Sequence, residues 1–438
     1  MSPRAPRPSS AGPGTPLHSP WAHVAQAAAA LAAGMGVGRF VYTPILPLMH
    51  ARAGLSAAAG ANLATANYVG YLLGALVGIL APALVRSPLA LRGSLVALTV
   101  TLAGMPTTHS TAVWLVLRLL AGIASALIFV IAVSSLLGHL RDHPAHLPGW
   151  AFGGVGAGIA LSGLMVLALR SLADWRAAWW AAAALAAALA VVSWNLRPEE
   201  APARDLPRPG RERRTAADAA QPAGTATAAR PGTRPQRWFS ALFVSYTLEG
   251  VGYIVAGTFL VAAIEQSSPG WVGSGAWVLV GLAAVPSSAL WARLGRRWSR
   301  PGLLLAALAI QAVGIALPAL LGSVAAALAS AVLFGATFIG ISTLALATGA
   351  HLRYPRSVAL LTTGYSVGQI LGPLAVAPLL HHGYRQALLL AAVVVLAGAL
   401  AAGVLRIGFP HHREVVRGGA PGDRPAAADA VPASTDRR

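Results

Sequence analysis

Three ionisable side chains stand inside long apolar runs: Arg39, Arg118 and Glu249. An ionised group at the centre of a membrane helix costs about 2.5 to 3.5 kcal/mol on insertion scales, so each must face the protein interior or a water-filled cavity. The other twelve of the 13 acids fall in tails and connections. Tyr246 lies three residues before Glu249 and Tyr253 four after it; Tyr42 and Thr43 follow Arg39 by three and four. Each of these two charges therefore shares a helical face with hydroxyl groups. A guanidinium can grip a carboxylate bidentately, and a desolvated carboxyl can take up and release a proton. Arg39, Tyr42, Thr43, Tyr246 and Tyr253 are thus candidates for binding a solute, and Glu249 for carrying a proton. The alternative is that Arg39 and Glu249 neutralise each other and hold the helices together. Arg118 lies about 9 Å into its run at about 1.5 Å per residue, a depth that suits either a cavity or snorkelling to the interface.

Asn67 with Tyr71, and Tyr365 with Gln369, are polar pairs at i, i+4 that suit a solute path or hydrogen bonds between helices. Gln311 and Thr337 stand alone and receive no role. Several other chemistries are absent. Without cysteine there is no disulfide, thiolate nucleophile or Cys-ligated metal. The twelve histidines fall in tails, connections or near helix ends, which excludes a mid-membrane histidine relay, and their pairs lack further ligands for a metal site. Gly34, Gly36 and Gly38, and Gly154, Gly156 and Gly158, imitate the start of a dinucleotide fingerprint. Arg39 and Ile159 occupy the third glycine position and no strand precedes either cluster, so close helix crossings explain them better. No serine, histidine and acid share one membrane depth. Neither an enzyme nor a cofactor is expected.

The elements that must position these residues are membrane helices. Only 10% of residues are charged and 56% are apolar, whereas soluble domains carry about a quarter charged residues. Twelve spans are expected, near 22–49, 57–85, 89–107, 112–138, 147–170, 175–196, 238–264, 272–292, 302–321, 324–350, 357–380 and 385–407. The first run contains Arg39 and is about twice the length of a signal-peptide core, so no cleaved leader is expected. The net charge of +19 suggests nucleic acid, but all 32 basic residues are Arg and most lie in short connections, as topology signals do. Nine arginines fall in connections on the side of the termini and four on the other, which places both termini in the cytoplasm. Trp21, Trp175, Trp238 and Trp271 mark span ends. Residues 1–21, 197–237 and 408–438 read as a disordered tail, linker and tail. They flank two six-helix bundles, 22–196 and 238–407.

The halves repeat. Gly36-Val37-Gly38 and Val41 recur as Gly250-Val251-Gly252 and Val255, 214 residues later; His139-Leu140-Arg141 and Gly156 recur as His351-Leu352-Arg353 and Gly368, 212 later. At the first offset Arg39 corresponds to Tyr253 and Glu249 to Met35. Parallel six-helix repeats about an axis along the membrane normal describe the major facilitator fold.

The chain resembles the major facilitator superfamily (MFS) over residues 20–408. The first span, from Gly34-Met-Gly-Val-Gly-Arg39 through Tyr42-Thr-Pro44 to Pro47-Leu-Met49, is similar to the bacterial YbfB/YjiJ-like branch. Asn67-Tyr-Val-Gly-Tyr71, Glu249-Gly-Val-Gly-Tyr253 and Gly368-Gln369-Ile-Leu-Gly372-Pro373 support that likeness. Arg293-Leu-Gly-Arg296-Arg297 resembles the superfamily's basic gating loop, while its counterpart Leu84-Val-Arg86-Ser-Pro lacks the usual Gly and Asp. Arg118-Leu-Leu-Ala-Gly122 resembles a motif of proton-coupled exporters, with Ala121 in place of Gln. The resemblance implies alternating access around a cavity lined by spans one, four, seven and ten, with Arg118 joining Glu249 in proton coupling. The expectation is a monomeric secondary transporter of a small organic solute in the bacterial inner membrane, coupled to protons. Efflux of amphipathic compounds and a non-transporting membrane sensor are the rivals.

Overall fold

The computed structural model describes residues 20–140, 147–171, 174–197, 233–352, 354–407 and 409. The expected disordered tails and most of the linker lie outside these residues, as do Arg141 and Arg353. Among the described residues there is no strand, and twelve helices are long and apolar enough to cross a membrane: α1 Pro20–Ala53, α2 Ala57–Leu80, α3 Pro88–Thr107, α4 Thr111–His139, α5 Leu147–Leu169, α6 Trp175–Ser193, α7 Gln236–Ser267, α8 Gly270–Leu294, α9 Arg300–Leu321, α10 Val324–His351, α11 Ser357–His382 and α12 Tyr384–Leu405. Local chemistry sets their ends. Ser56, Ser87, Asp174 and Ser323 accept hydrogen bonds from first-turn backbone N–H groups of α2, α3, α6 and α10. Gly54 and Gly322 stop α1 and α9 in the left-handed conformation.

The helices pack as two equivalent sets. In the first, α4 packs on α2 and α3, and α1 on α5; in the second, α10 packs on α8 and α9, and α7 on α11. The bundles meet where α5 lies on α8 and α2 on α11, two contacts that exchange under the same twofold. The repeat reaches individual atoms. A side chain at Gly122 would collide with the backbone of Asn67, and one at Gly335 with that of Val280. Both partners of the second pair stand 213 residues after those of the first. The glycine cluster of α5 works likewise: Gly154 and Gly158 admit the backbone of α1, and Gly156 that of α8.

The first span departs from the expected continuous helix. It widens into a π-helix over Ala32–Val37, turns through residues 38–41 and resumes as Tyr42–Ala53. Pro44 explains the interruption, because it lacks an N–H and its ring crowds the carbonyl of Phe40 four residues earlier, whereas Pro47 is accommodated inside the resumed helix. Gly34 fits against α4, Gly38 against Leu98 of α3 and Ser125 of α4, and Gly36 against Gly158 of α5.

Gly122→Val should lower the unfolding temperature of the detergent-solubilised protein, by the equivalent of about 1–3 kcal/mol for an overpacked contact. Gly93→Ala, where a methyl group meets open space inside a helix, should leave it unchanged or raise it slightly. Equal behaviour of the two variants would contradict the close α2–α4 crossing.

Candidate functional site

The break in α1 is held by α4. Arg118 donates from Nη1 to the carbonyl of Gly38 at 3.2 Å and from Nη2 to that of Arg39 at 3.3 Å. Its guanidinium lies 4.9 Å from the Tyr42 ring centre and only 1% of the residue is exposed. Arg118 therefore faces the interior and does not snorkel. Asn67 donates from Nδ2 to the Arg118 carbonyl at 2.9 Å, which turns it into the α2–α4 seam. Tyr42 donates to the Gly60 carbonyl at 2.9 Å and packs near Trp179, inside the first bundle. Neither Asn67 nor Tyr42 touches Arg39 with its polar group.

Arg39 sits at the turn itself. Its Nη2 donates to Gln369 Oε1 of α11 at 2.5 Å, and its guanidinium lies 4.5 Å from the ring centre of Tyr71, 4.8 Å from Tyr68 and 5.3 Å from Phe40. Its Nε is buried without a hydrogen-bond partner. Tyr68 also shares a hydrogen bond of 2.7 Å with Thr258 of α7. Tyr68 receives no role from the sequence, although it stands three residues before Tyr71 and so shares its helical face. Thr43 donates to the carbonyl of Gly257, its own equivalent 214 residues on. Two positions that exchange under a twofold touch only beside the axis, so this bond marks where the pseudo-axis passes.

Glu249 is elsewhere. It is fully buried, and neither carboxylate oxygen has a hydrogen-bond partner. Gln311 of α9, given no role from the sequence, approaches the carboxyl without completing a hydrogen bond. Arg39 and Glu249 do not pair. Between them runs an aromatic ladder: Tyr246 stacks on Tyr365 at 4.4 Å between ring centres, Tyr365 on Tyr253 at 5.7 Å, and Tyr253 on Phe338 at 5.8 Å. Tyr71, Tyr246, Tyr253, Tyr365 and Gln369 thus gather at mid-height with Arg39.

Residues 31–403 match the family model described as "Uncharacterised MFS-type transporter YbfB". The chain belongs to the YbfB-type family of MFS transporters. It is a multi-pass membrane protein and a secondary transporter, not an enzyme. The fold agrees: a crystal structure of a point variant of the nucleoside transporter NupG superposes with a TM-score of 0.65 at 13% identity, covering 88% of this chain and 100% of that one. Another NupG crystal structure gives 0.62 at 13% identity, over 88% and 98%. No curated protein matches by sequence.

For a transporter of this family the bonds between bundles define its state. Among the described residues four side-chain hydrogen bonds join them: Arg39 to Gln369, Thr43 to Gly257, Tyr68 with Thr258, and His50 with Tyr384 at 2.6 Å. All lie from mid-height to the end away from the termini, so side-chain bonds fasten the bundles together at that end. At the other end Arg293, in the last turn of α8, and Arg296 and Arg297 just after it are exposed, and their side chains make no hydrogen bond among the described residues. Arg300 instead donates to the Ala347 carbonyl in the last turn of α10, at 3.4 Å. A concavity lined by Gln266, Pro318, Leu321, Arg385 and Leu388 opens at the fastened end, apart from Arg39 and Glu249.

Arg118→Met should strand the Gly38 and Arg39 carbonyls and cost about 2 kcal/mol or more of stability, read as a lowered unfolding temperature. Arg118→Lys, with one ammonium for two carbonyls, should recover only part of the loss. A neutral Arg118→Met would contradict the role assigned to this contact.

Proposed function

We propose that the protein moves a small organic anion across the bacterial inner membrane by alternating access, with protons as the coupling ion. One observation carries the reading: the buried cation and the buried acid at the centre do not neutralise each other. Arg39 is held by a neutral amide and three rings and keeps an unpartnered Nε–H donor. Glu249 keeps two unpartnered oxygens. Buried ionisable groups without counter-charges are costly, so a partner that arrives during the cycle is their natural complement. For Arg39 that partner is an anionic group on the solute, gripped by the guanidinium after Gln369 is displaced. For Glu249 it is a proton.

Both termini face the cytoplasm in this proposal, on the strength of the arginine bias. The end fastened by Thr43, Tyr68, His50 and their partners is then the outer one, and the cycle proceeds by undoing those bonds while the inner ends close. The two bundles complete one path within one chain, so the working unit is a monomer in the lipid bilayer, with no cofactor and no nucleic acid.

A second reading rests on the ladder of Tyr246, Tyr365, Tyr253 and Phe338, which offers stacking surface to a planar or amphipathic solute. The fold shared with a nucleoside transporter and the rival reading of efflux both fall here. The solute decides between them.

In proteoliposomes with an imposed pH gradient, a panel of labelled organic anions, nucleosides and lipophilic cations should show accumulation of an anion. Glu249→Gln should abolish pH-driven accumulation while sparing exchange, and Arg39→Ala should weaken binding more than about tenfold, or 1.4 kcal/mol. Accumulation unaltered in Glu249→Gln, or movement of lipophilic cations alone, would contradict the proposal. Binding without flux would make the protein a sensor.

A further inference from the structure

Among the described residues of the second bundle, seven buried side-chain polar atoms have no hydrogen-bond partner, and four of them belong to two residues: Oε1 and Oε2 of Glu249 on α7, and Oε1 and Nε2 of Gln311 on α9; the others are Thr247 Oγ1, Trp277 Nε1 and Ser330 Oγ. Both residues are 0% exposed, and Gln311 is the side chain turned toward the carboxyl. The titratable groups that sense Glu249 are tyrosines: Tyr246 and Tyr253 on its own helix and Tyr365 on α11. The middle portions of α9, α10, α11 and α12 carry no Arg, His, Asp or Glu. Gln311 is thus the polar neighbour through which the rest of the bundle addresses this acid.

A primary amide presents a donor and an acceptor side by side, and a protonated carboxyl presents the complementary acceptor and donor. The two match in a pair of parallel hydrogen bonds, Gln311 Nε2–H to the acid's carbonyl oxygen and the acid O–H to Gln311 Oε1. A carboxylate offers acceptors only. It takes the N–H and leaves Gln311 Oε1 facing another lone pair, buried away from water.

We propose that Gln311 is the positioning residue for the coupling proton, closing this paired hydrogen bond when Glu249 is protonated and opening it when the proton leaves. The proposal rests on the reading of Glu249 as the proton carrier. Its proton goes to or from water during the cycle, and no bond other than O–H is made or broken. The pair joins α7 to α9, so protonation tightens a contact within the second bundle and deprotonation loosens it.

The test is infrared titration of the full-length protein in lipid nanodiscs, following the carboxylic acid carbonyl band and assigning Glu249 by the band lost in Glu249→Gln. Gln311→Leu should lower the midpoint of that band by about one pH unit or more, a tenfold loss of proton affinity, because the pair favours the protonated acid. Gln311→Asn, which keeps the amide but withdraws it by one methylene, should lower it less. An unmoved or raised midpoint in Gln311→Leu overturns the proposal. Should that variant fail to fold, Gln311→Glu should add a second, coupled protonation step, and its absence overturns the proposal equally. A midpoint that follows sodium at constant ionic strength would assign the site to a metal cation and also overturn it. Flux separates the two readings. If Glu249→Gln keeps pH-driven accumulation while Gln311→Leu lowers the midpoint, the coupling role fails and the pair stands; the converse leaves the coupling role and removes the pair.

Discussion

A helix that opens in the middle of a membrane must hand its freed carbonyls to donors other than water, and here one arginine takes two of them. Arg118 reaches from α4 to the carbonyls of Gly38 and Arg39, at the point where Pro44 prevents α1 from continuing unbroken. Much else depends on that contact. The turn it stabilises aims the Arg39 side chain into the cage of Tyr68, Tyr71 and Phe40, and places Thr43 against its pseudo-equivalent on α7. An unbroken helix would present these residues at a fixed 100° spacing and give the centre no turn of its own. Small residues make the arrangement possible, since Gly122 brings α4 against α2 and Gly36 meets Gly158 backbone to backbone.

The central charges then divide by bundle. Arg39 belongs to the first, where it meets α11 of the second through Gln369; Glu249 belongs to the second and turns toward α9. The tyrosine ladder separates them. A direct ion pair would lock the two bundles together at mid-height, whereas an arginine satisfied by an amide and aromatic faces can exchange that amide for a solute at low cost. The fastened end reinforces the same division, because its bonds are hydroxyl, carbonyl and imidazole contacts that water can replace when the bundles rock apart.

Twelve spans, two bundles and the internal repeat were legible in the sequence, because hydropathy and repetition are properties of the chain itself. The 213-residue spacing that relates the Gly122–Asn67 crossing to the Gly335–Val280 crossing shows how literally the repeat is kept. The orientation of single side chains was less legible. Helical periodicity gives the face a residue shares, not the neighbour that face meets. The i, i+4 spacing pairs Asn67 with Tyr71 and gives no role to Tyr68, but packing turns Asn67 to α4 and Tyr68 to Arg39. Gln311 stood alone in its own span and acquires meaning only because α9 lies beside Glu249. The break in α1 left a trace in Pro44 and three alternate glycines. Prolines do occur within continuous spans, however, and Pro286 and Pro318 lie inside α8 and α9 without such a break.

The central claim is that Arg39 and Glu249 are not each other's counter-charge. A double-mutant cycle on thermal stability without solute tests it most directly, using Arg39→Gln, Glu249→Gln and the combined variant. The account predicts that the two single effects add to within about 0.5 kcal/mol, as for sites that share no partner. A combined variant markedly more stable than that sum would show that each single substitution strands the other charge, and would contradict the account.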